Sequence, residues 1–153
     1  MDIEYRPATE GDLELMMAWR SHPKLYQNFY IQDEPLDWEG HVNWWNSRGN
    51  RRDWIIVVNT DGRWRDVGII ALFNLDEWYP EVNTWVGEVT FWGNGVATEA
   101  VQFALDWLDS HNFSGATAKI FNKNKASQSV FKKVGFQRVG DARENESEYR
   151  IEL

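Results

Sequence analysis

Glycines 93 and 95, within Trp92-Gly93-Asn94-Gly95-Val96-Ala97-Thr98, carry the sharpest chemical signal in this chain. A β-type run over residues 82–91 leads into them, and a helical pattern leads out. Two glycines at a strand-to-helix turn let the backbone curl tightly and aim its N–H groups outward. The helix start behind them adds roughly half a positive charge from its dipole. Together these features can cradle a phosphate, although a Gly-x-Gly pair alone also serves as an ordinary turn.

A second segment follows about two dozen residues later: Asn124-Lys125-Ala126-Ser127-Gln128-Ser129-Val130-Phe131-Lys132-Lys133-Val134-Gly135-Phe136. The two segments together resemble the acetyl-CoA-binding core of the GCN5-related N-acetyltransferases, the GNAT family. The likeness is greatest to the branch that acetylates ribosomal-protein N-termini and small amines. Family members carry Arg/Gln-x-x-Gly-x-Gly/Ala, matched here by residues 92–97, then Asn-x-x-Ser/Ala and Gly-Phe, matched by Asn124, Ser127, Gly135 and Phe136. The resemblance is specific over residues 82–140 and loose before them. It implies that acetyl-CoA is the co-substrate. It also implies that backbone groups of the strand end Val89-Thr90-Phe91 hold the pantetheine arm and polarise the thioester. The diphosphate would lie on the amides of residues 93–98, with Asn124, Ser127, Phe131 and Lys133 completing the cofactor side. One departure is that Trp92 stands where the family has Arg or Gln, so backbone donors must carry more of the diphosphate binding.

Acetyl transfer to an amine requires the neutral nucleophile. An alkylamine of pKa about 10.4 is neutral in about one part in 2,500 at pH 7, a deficit of about 4.6 kcal/mol. A carboxylate, acting directly or through water, can recover it. Glu88 is the candidate base, because it precedes the glycine turn and strand alternation puts it on one face with Thr84, Val86 and Thr90. A structural carboxylate paired with an arginine is the competing reading. Asp76 and Glu77 are reserve candidates. Many relatives place a Tyr four residues beyond the serine to protonate the leaving thiolate. Phe131 stands there and cannot donate; the serine form is common in the branch this chain resembles, and that resemblance implies Ser127 as the candidate acid. Ser127 bonded only to nearby backbone is the plainer alternative, and Asn124 reads as a helix cap that also touches the cofactor. His22, His41 and His111 have no metal spacing and read as structural, so no metal is expected.

The elements that must position these groups are legible as periodicities. Residues 3–7 form a first strand, and Thr9 with Asp12 has the form of a capping box for a helix. Leu13, Met16 and Met17 would be the buried stripe of that helix. His22-Pro23-Lys24 opens a second short helix, and Trp38, Val42 and Trp45 at i, i+4 and i+7 place a third over residues 37–48. Strands follow at 54–58, 67–74 and 82–91, the first two joined by Asp61-Gly62. Val101, Ala104, Leu105 and Leu108 mark a helix, residues 116–121 a strand, and 124–134 another helix. Strands at 136–139 and 149–153 close the chain. The expectation is an α+β fold in the order β-α-α-α-β-β-β-α-β-α-β-β. The resemblance adds a mixed, mostly antiparallel central sheet flanked by helices.

The length of 153 residues fits one domain, residues 1–153. Ten Trp, eight Phe and five Tyr supply abundant core material, while zero Cys removes disulfides and a cysteine relay, so attack on the thioester is direct. No run approaches the roughly 20 apolar residues of a membrane span. The opening residues lack the layout of a signal peptide, and a cytoplasmic, non-membrane protein is expected. A net charge of −8 argues against nucleic acid as partner. Residues 111–139 nonetheless hold no Asp or Glu, only Lys119, Lys123, Lys125, Lys132, Lys133 and Arg138, a local patch suited to the phosphates of coenzyme A. The acceptor class stays open among an amino sugar, a small cationic amine and a protein N-terminus. In the fold the resemblance implies, Asp33, Glu34, Asp76, Glu77 and Glu81 would border its cleft and attract a cationic amine; ordinary solvated loops are the equal alternative. A homodimer is compatible with the sequence. The alternatives are a catalytically weak CoA-binding module of the same fold, and a site for another nucleotide.

Overall fold

A computed structural model describes residues 1–26 and 37–153. Asp33 and Glu34 lie outside the described residues. The element order is β1 (Asp2–Pro7), α1 (Leu13–Arg20), α2 (Pro23–Tyr26), α3 (Trp38–Asn46), β2 (Arg52–Thr60), β3 (Arg63–Phe73), β4 (Glu81–Val86), α4 (Val96–Ser110), β5 (Gly115–Phe121), α5 (Lys125–Val134), β6 (Gln137–Arg143) and β7 (Glu146–Glu152). Short 3-10 turns at Glu10–Asp12 and Val89–Phe91 precede α1 and follow β4. This is the expected α+β order.

Seven strands form one sheet in the order β1-β2-β3-β4-β5-β7-β6. All neighbours run antiparallel except β4 and β5, which are parallel and meet in register only at Glu81 and Thr117. Past that rung the two strands diverge. The β2–β3 hairpin turns on Asp61 and Gly62, both at positive φ (55° and 75°), as a two-residue connection requires.

Alternation along the strands builds a core on each face of the sheet. Ile56, Val58, Ile70, Leu72 and Val82 pack against Val101, Ala104 and Leu108 of α4 and Phe131 of α5. On the opposite face Ile55, Ile69 and Ala71 meet Met16 and Trp19 of α1 and Leu25 of α2. Burying a Leu or Ile side chain is worth about 1.5–3 kcal/mol, so both helix layers are held mainly by these stripes. Trp19, rather than the expected Met17, completes the buried side of α1. The α1 entrance is fixed by Asp12, which accepts from Thr9 N at 2.8 Å and from both terminal nitrogens of Arg6 at 3.0 and 2.8 Å. Burial pushes the Asp12 carboxyl up, but these donors outweigh it and hold it below its ordinary value.

Two expectations need correcting. In α3 the buried side chain is His41, while Trp38 is exposed and Trp45 half-buried. His41 Nε2 lies 2.8 Å from the Leu13 carbonyl, which fixes Nε2 as the donor and ties α3 to α1. The strand expected over 82–91 ends at Val86. Its end is dictated by a bulge, since Ile56 pairs with Gly68 but Val57 with Asp66, leaving Val67 as the extra residue. The Val67 carbonyl accepts from Gly87 N at 2.7 Å and Glu88 N at 3.1 Å, which turns the chain out of the ladder.

Candidate active site

The turn after β4 is built from bottom to top by local constraints. Phe91 N donates to Glu88 O at 2.9 Å and Trp92 N to Val89 O at 3.0 Å, closing the 3-10 turn. The Trp92 indole Nε1 then donates to the Val86 carbonyl at 2.7 Å, pinning the loop to the end of β4. Gly93 and Gly95 follow at φ of 80° and 79°, a region that costs other residues strain. Gly95 is the N-cap of α4, fifteen residues long, whose first-turn amides have no acceptor within the helix. A Cβ on either glycine would meet no atom within 4 Å, so open space lies above the turn. Such a cradle fits a diphosphate.

That space belongs to a cavity of about 480 Å³ running through the gap where β4 and β5 diverge. Phe91, Trp92, Gly93, Gly95, Val96, Ala97 and Thr98 line one side of it, and Asn124, Ser127, Phe131 and Lys133 another. Val89, Thr90 and Asn94 stand next to this lining without entering it, and so does Glu88. Asn124 caps α5 by accepting from Ser127 N at 3.1 Å, which orients the first turn of the helix toward the cavity. Phe131 is buried against Phe136, edge to face with centroids 5.0 Å apart, so its ring is both core and cavity wall. Lys133 is exposed at the rim.

Residues 2–137 match the acetyltransferase (GNAT) domain family. The chain belongs to the GNAT acetyltransferase family. An uncharacterized protein of Methanocaldococcus jannaschii is 41% identical over 151 residues, 99% of this chain. This GNAT chain spans about a third (31%) of the length of that relative. A crystal structure of a domain from the same organism superposes with a TM-score of 0.97 at 41% identity, covering 99% of both chains. Spermidine N-acetyltransferase from Vibrio cholerae, solved with CoA and spermine, aligns at a TM-score of 0.77 and 15% identity over 99% of this chain and 94% of that one. An aminoglycoside acetyltransferase solved with coenzyme A aligns at 0.81 and 13% identity over 97% and 93%. At such identities these two show a shared fold.

Within this GNAT fold, Glu88 departs from its expected surroundings. Because the ladder stops at Val86, Glu88 turns away from Thr84 and toward α1, where its Oε1 accepts from Trp19 Nε1 at 3.0 Å. Among the described residues its side-chain hydrogen-bond partner is therefore an indole, and no ion pair joins it to an arginine.

On the side of the sheet opposite α4 and α5, the cavity is lined by Asn83, Trp85, Lys119 and Glu146. Glu146 opens β7 opposite Phe121 at the end of β5, and only 8% of its side chain is exposed. Burial, with Glu81 nearby, pushes its carboxyl above the ordinary value against the pull of Arg143 and Lys119. Sequence reasoning missed it, since Glu144-Asn145-Glu146 reads as a solvated hairpin turn; only the pairing of β5 with β7 buries it. Lys119 also borders a second, adjoining cleft with Asp76, Glu77, Glu81, Glu148 and Arg150. Asp76, Glu77 and Glu81, three of the carboxylates expected near an acceptor, thus group around the closed Glu81–Thr117 end of β4 and β5 and not in the lining of the first cavity. Glu81 is held by Lys119 Nζ at 3.3 Å. Among the described residues no three His, Asp or Glu side chains are grouped to hold a metal ion, and no helix is long and apolar enough to cross a membrane.

Proposed function

We propose that this chain transfers the acetyl group of acetyl-CoA directly to a primary amine. The observation that carries this reading is the single cavity that joins the glycine turn to a polar, carboxylate-bearing sheet face through the β4–β5 gap. Amides at residues 93–98 and the rim residue Lys133 would hold the phosphates. The gap would take the pantetheine arm, and the thioester would lie near Ser127. When bound, acetyl-CoA supplies an activated acyl carbon. The chain's part is to hold that carbon, exclude water and manage protons. Ser127, in the cavity lining, is assigned as the hydroxyl that protonates the departing sulfur, the role implied by the serine form of the family motif. Glu88, held by Trp19, stands beside the cavity rather than in its lining, and its part here is to fix the turn.

Amines are favoured as acceptors by the acidic rim of Asp76, Glu77 and Glu81. The spermine-bound relative shows that this fold can receive a cationic amine. An amino sugar, a small polyamine and a protein N-terminus of the ribosomal-protein-alanine type are the acceptor classes to compare. The test is release of free thiol from acetyl-CoA with spermidine, glucosamine and an alanine-first peptide. Turnover with one of them supports the reading. Tight CoA binding without turnover on any amine would favour the second reading, a CoA-binding module, which the Trp92 and Phe131 replacements support. Calorimetry showing ATP bound and CoA not bound would end both.

A further inference from the structure

We propose that Glu146 is the carboxylate that takes the proton from the acceptor amine, an assignment that rests on the acetyl-transfer reading above. Glu146 lies in the lining of the cavity shared with Gly93 and Ser127, whereas Glu88 does not. Its side chain is more than nine-tenths buried, and its Oε1 has no hydrogen-bond partner among the described residues. The nearest cation, Arg143 Nε at the end of β6, stands 3.7 Å away, too far for a hydrogen bond. Lys119 of β5 is engaged with Glu81 of β4 at 3.3 Å. A buried carboxylate oxygen that takes no hydrogen bond carries a desolvation cost, which the ion pair with Arg143 at 3.7 Å offsets only in part. An incoming ammonium supplies the missing donor.

The faces of the sheet set the direction of approach. Asn83, Trp85, Lys119 and Glu146 share the face opposite α4 and α5, while the glycine turn and α5 lie at the other end of the cavity. An amine entering over Glu146 therefore meets the carbonyl carbon from the side away from the phosphates. The ammonium gives one proton to the Glu146 carboxylate. The freed nitrogen lone pair forms the C–N bond, the C–S bond breaks, and its electron pair leaves on sulfur. The second nitrogen proton ends on that thiolate by way of the Ser127 hydroxyl, and Glu146 returns its proton to solvent. The products are the amide, the free thiol and one released proton. The charged groups facing Glu146 are Arg143, Glu81 and Lys119, and their balance with burial leaves the carboxyl raised, which makes it a stronger proton acceptor.

The experiment measures kcat, KM and their pH dependence for the wild type, Glu146→Gln, Glu146→Asp and Glu88→Gln. It uses acetyl-CoA with spermidine, glucosamine and an alanine-first peptide, and calorimetry of acetyl-CoA binding alongside. Glu146→Gln is expected to lower kcat by about 100-fold, the lower end for general-base catalysis, with acetyl-CoA affinity unchanged within about twofold. The acid limb of the kcat/KM profile should disappear in Glu146→Gln. It should persist in Glu146→Asp, which keeps the carboxylate on a shorter arm. Equal losses in both variants with the limb intact would mean a structural role and overturn the assignment. A loss carried instead by Glu88→Gln would overturn it while leaving the acetyl-transfer reading standing. A wild type that binds acetyl-CoA and acetylates none of the amines would overturn both.

Discussion

The Trp19 indole donates to the Glu88 carboxylate at 3.0 Å, and its ring lies flat against Gly87, the residue between Glu88 and the end of β4. One buried side chain of α1 thus sets both the backbone and the side chain of the turn that leads into the glycine cradle. The bulge at Val67 supplies the matching constraint from β3. The helix layer on one face of the sheet thereby governs the loop that opens onto the other.

Gly87→Ala should be poorly tolerated, because a Cβ there would run into the Trp19 ring. Overpacking of this kind costs about 1–3 kcal/mol, so thermal unfolding should show a melting temperature lowered by about 2–12 °C. Adding Trp19→Phe should return part of that loss, and a double-mutant cycle with strict additivity would contradict the contact.

Gly95→Ala should separate affinity from stability. The position holds φ at 79° with open space around it, so alanine brings about 1–2 kcal/mol of backbone strain without a clash. Relief of that strain would rotate the first amides of α4 away from the diphosphate. The expected result by calorimetry is at least about a fivefold weaker acetyl-CoA affinity, alongside a modest loss of melting temperature.

His41 should make the fold weaken in mild acid. Burial lowers its pKa, Arg20 lowers it further, and the bond to the Leu13 carbonyl opposes them without prevailing. The folded ring is therefore neutral where the unfolded ring, with pKa about 6.5, takes up a proton. Stability from this group is present above that value and lost as pH falls below it. Melting temperatures should decline from about pH 7 to about pH 5, and His41→Gln should flatten that slope. Asp12, whose carboxyl is lowered, acts in a separate window below its ordinary value.

Glu146→Gln should stabilise the protein even as it slows turnover. A raised carboxyl means that the folded state pays to ionise it, so removing the charge should raise the melting temperature at neutral pH and change little in acid below the ordinary carboxylate value, where the group is protonated in both states. A gain of about 2 °C at neutral pH would correspond to roughly 0.5–1 kcal/mol. A lower melting temperature at every pH would show that Glu146 holds the β5–β7 seam instead.

What the sequence revealed and what it withheld divide along the range of the interactions. Val101, Ala104, Leu105 and Leu108 are all buried in α4, because a 3.6-residue stripe carries its own address. Asp61-Gly62 and the glycines at 93 and 95 announce their turns by the backbone angles only such residues reach easily. Alternation puts Glu88 on the wrong face because its direction depends on the bulge at Val67, twenty-one residues before it in β3. His41 was hidden among louder tryptophans, since its burial follows from a carbonyl in α1 rather than from any local pattern. Glu146 gave no local signal at all. Its neighbours are charged and turn-like, and only a strand twenty-five residues upstream removes it from water.

The lone rung between Glu81 and Thr117 has a mechanical consequence. With one tooth of the zipper closed, the β1–β4 and β5–β7 halves are joined by packing more than by backbone bonds. A slender amide-bearing guest seated in that seam would act as an eighth strand and stitch the halves together. Slower amide hydrogen exchange in residues 82–86 and 118–121 would then report an occupied seam before any acetyl group has moved.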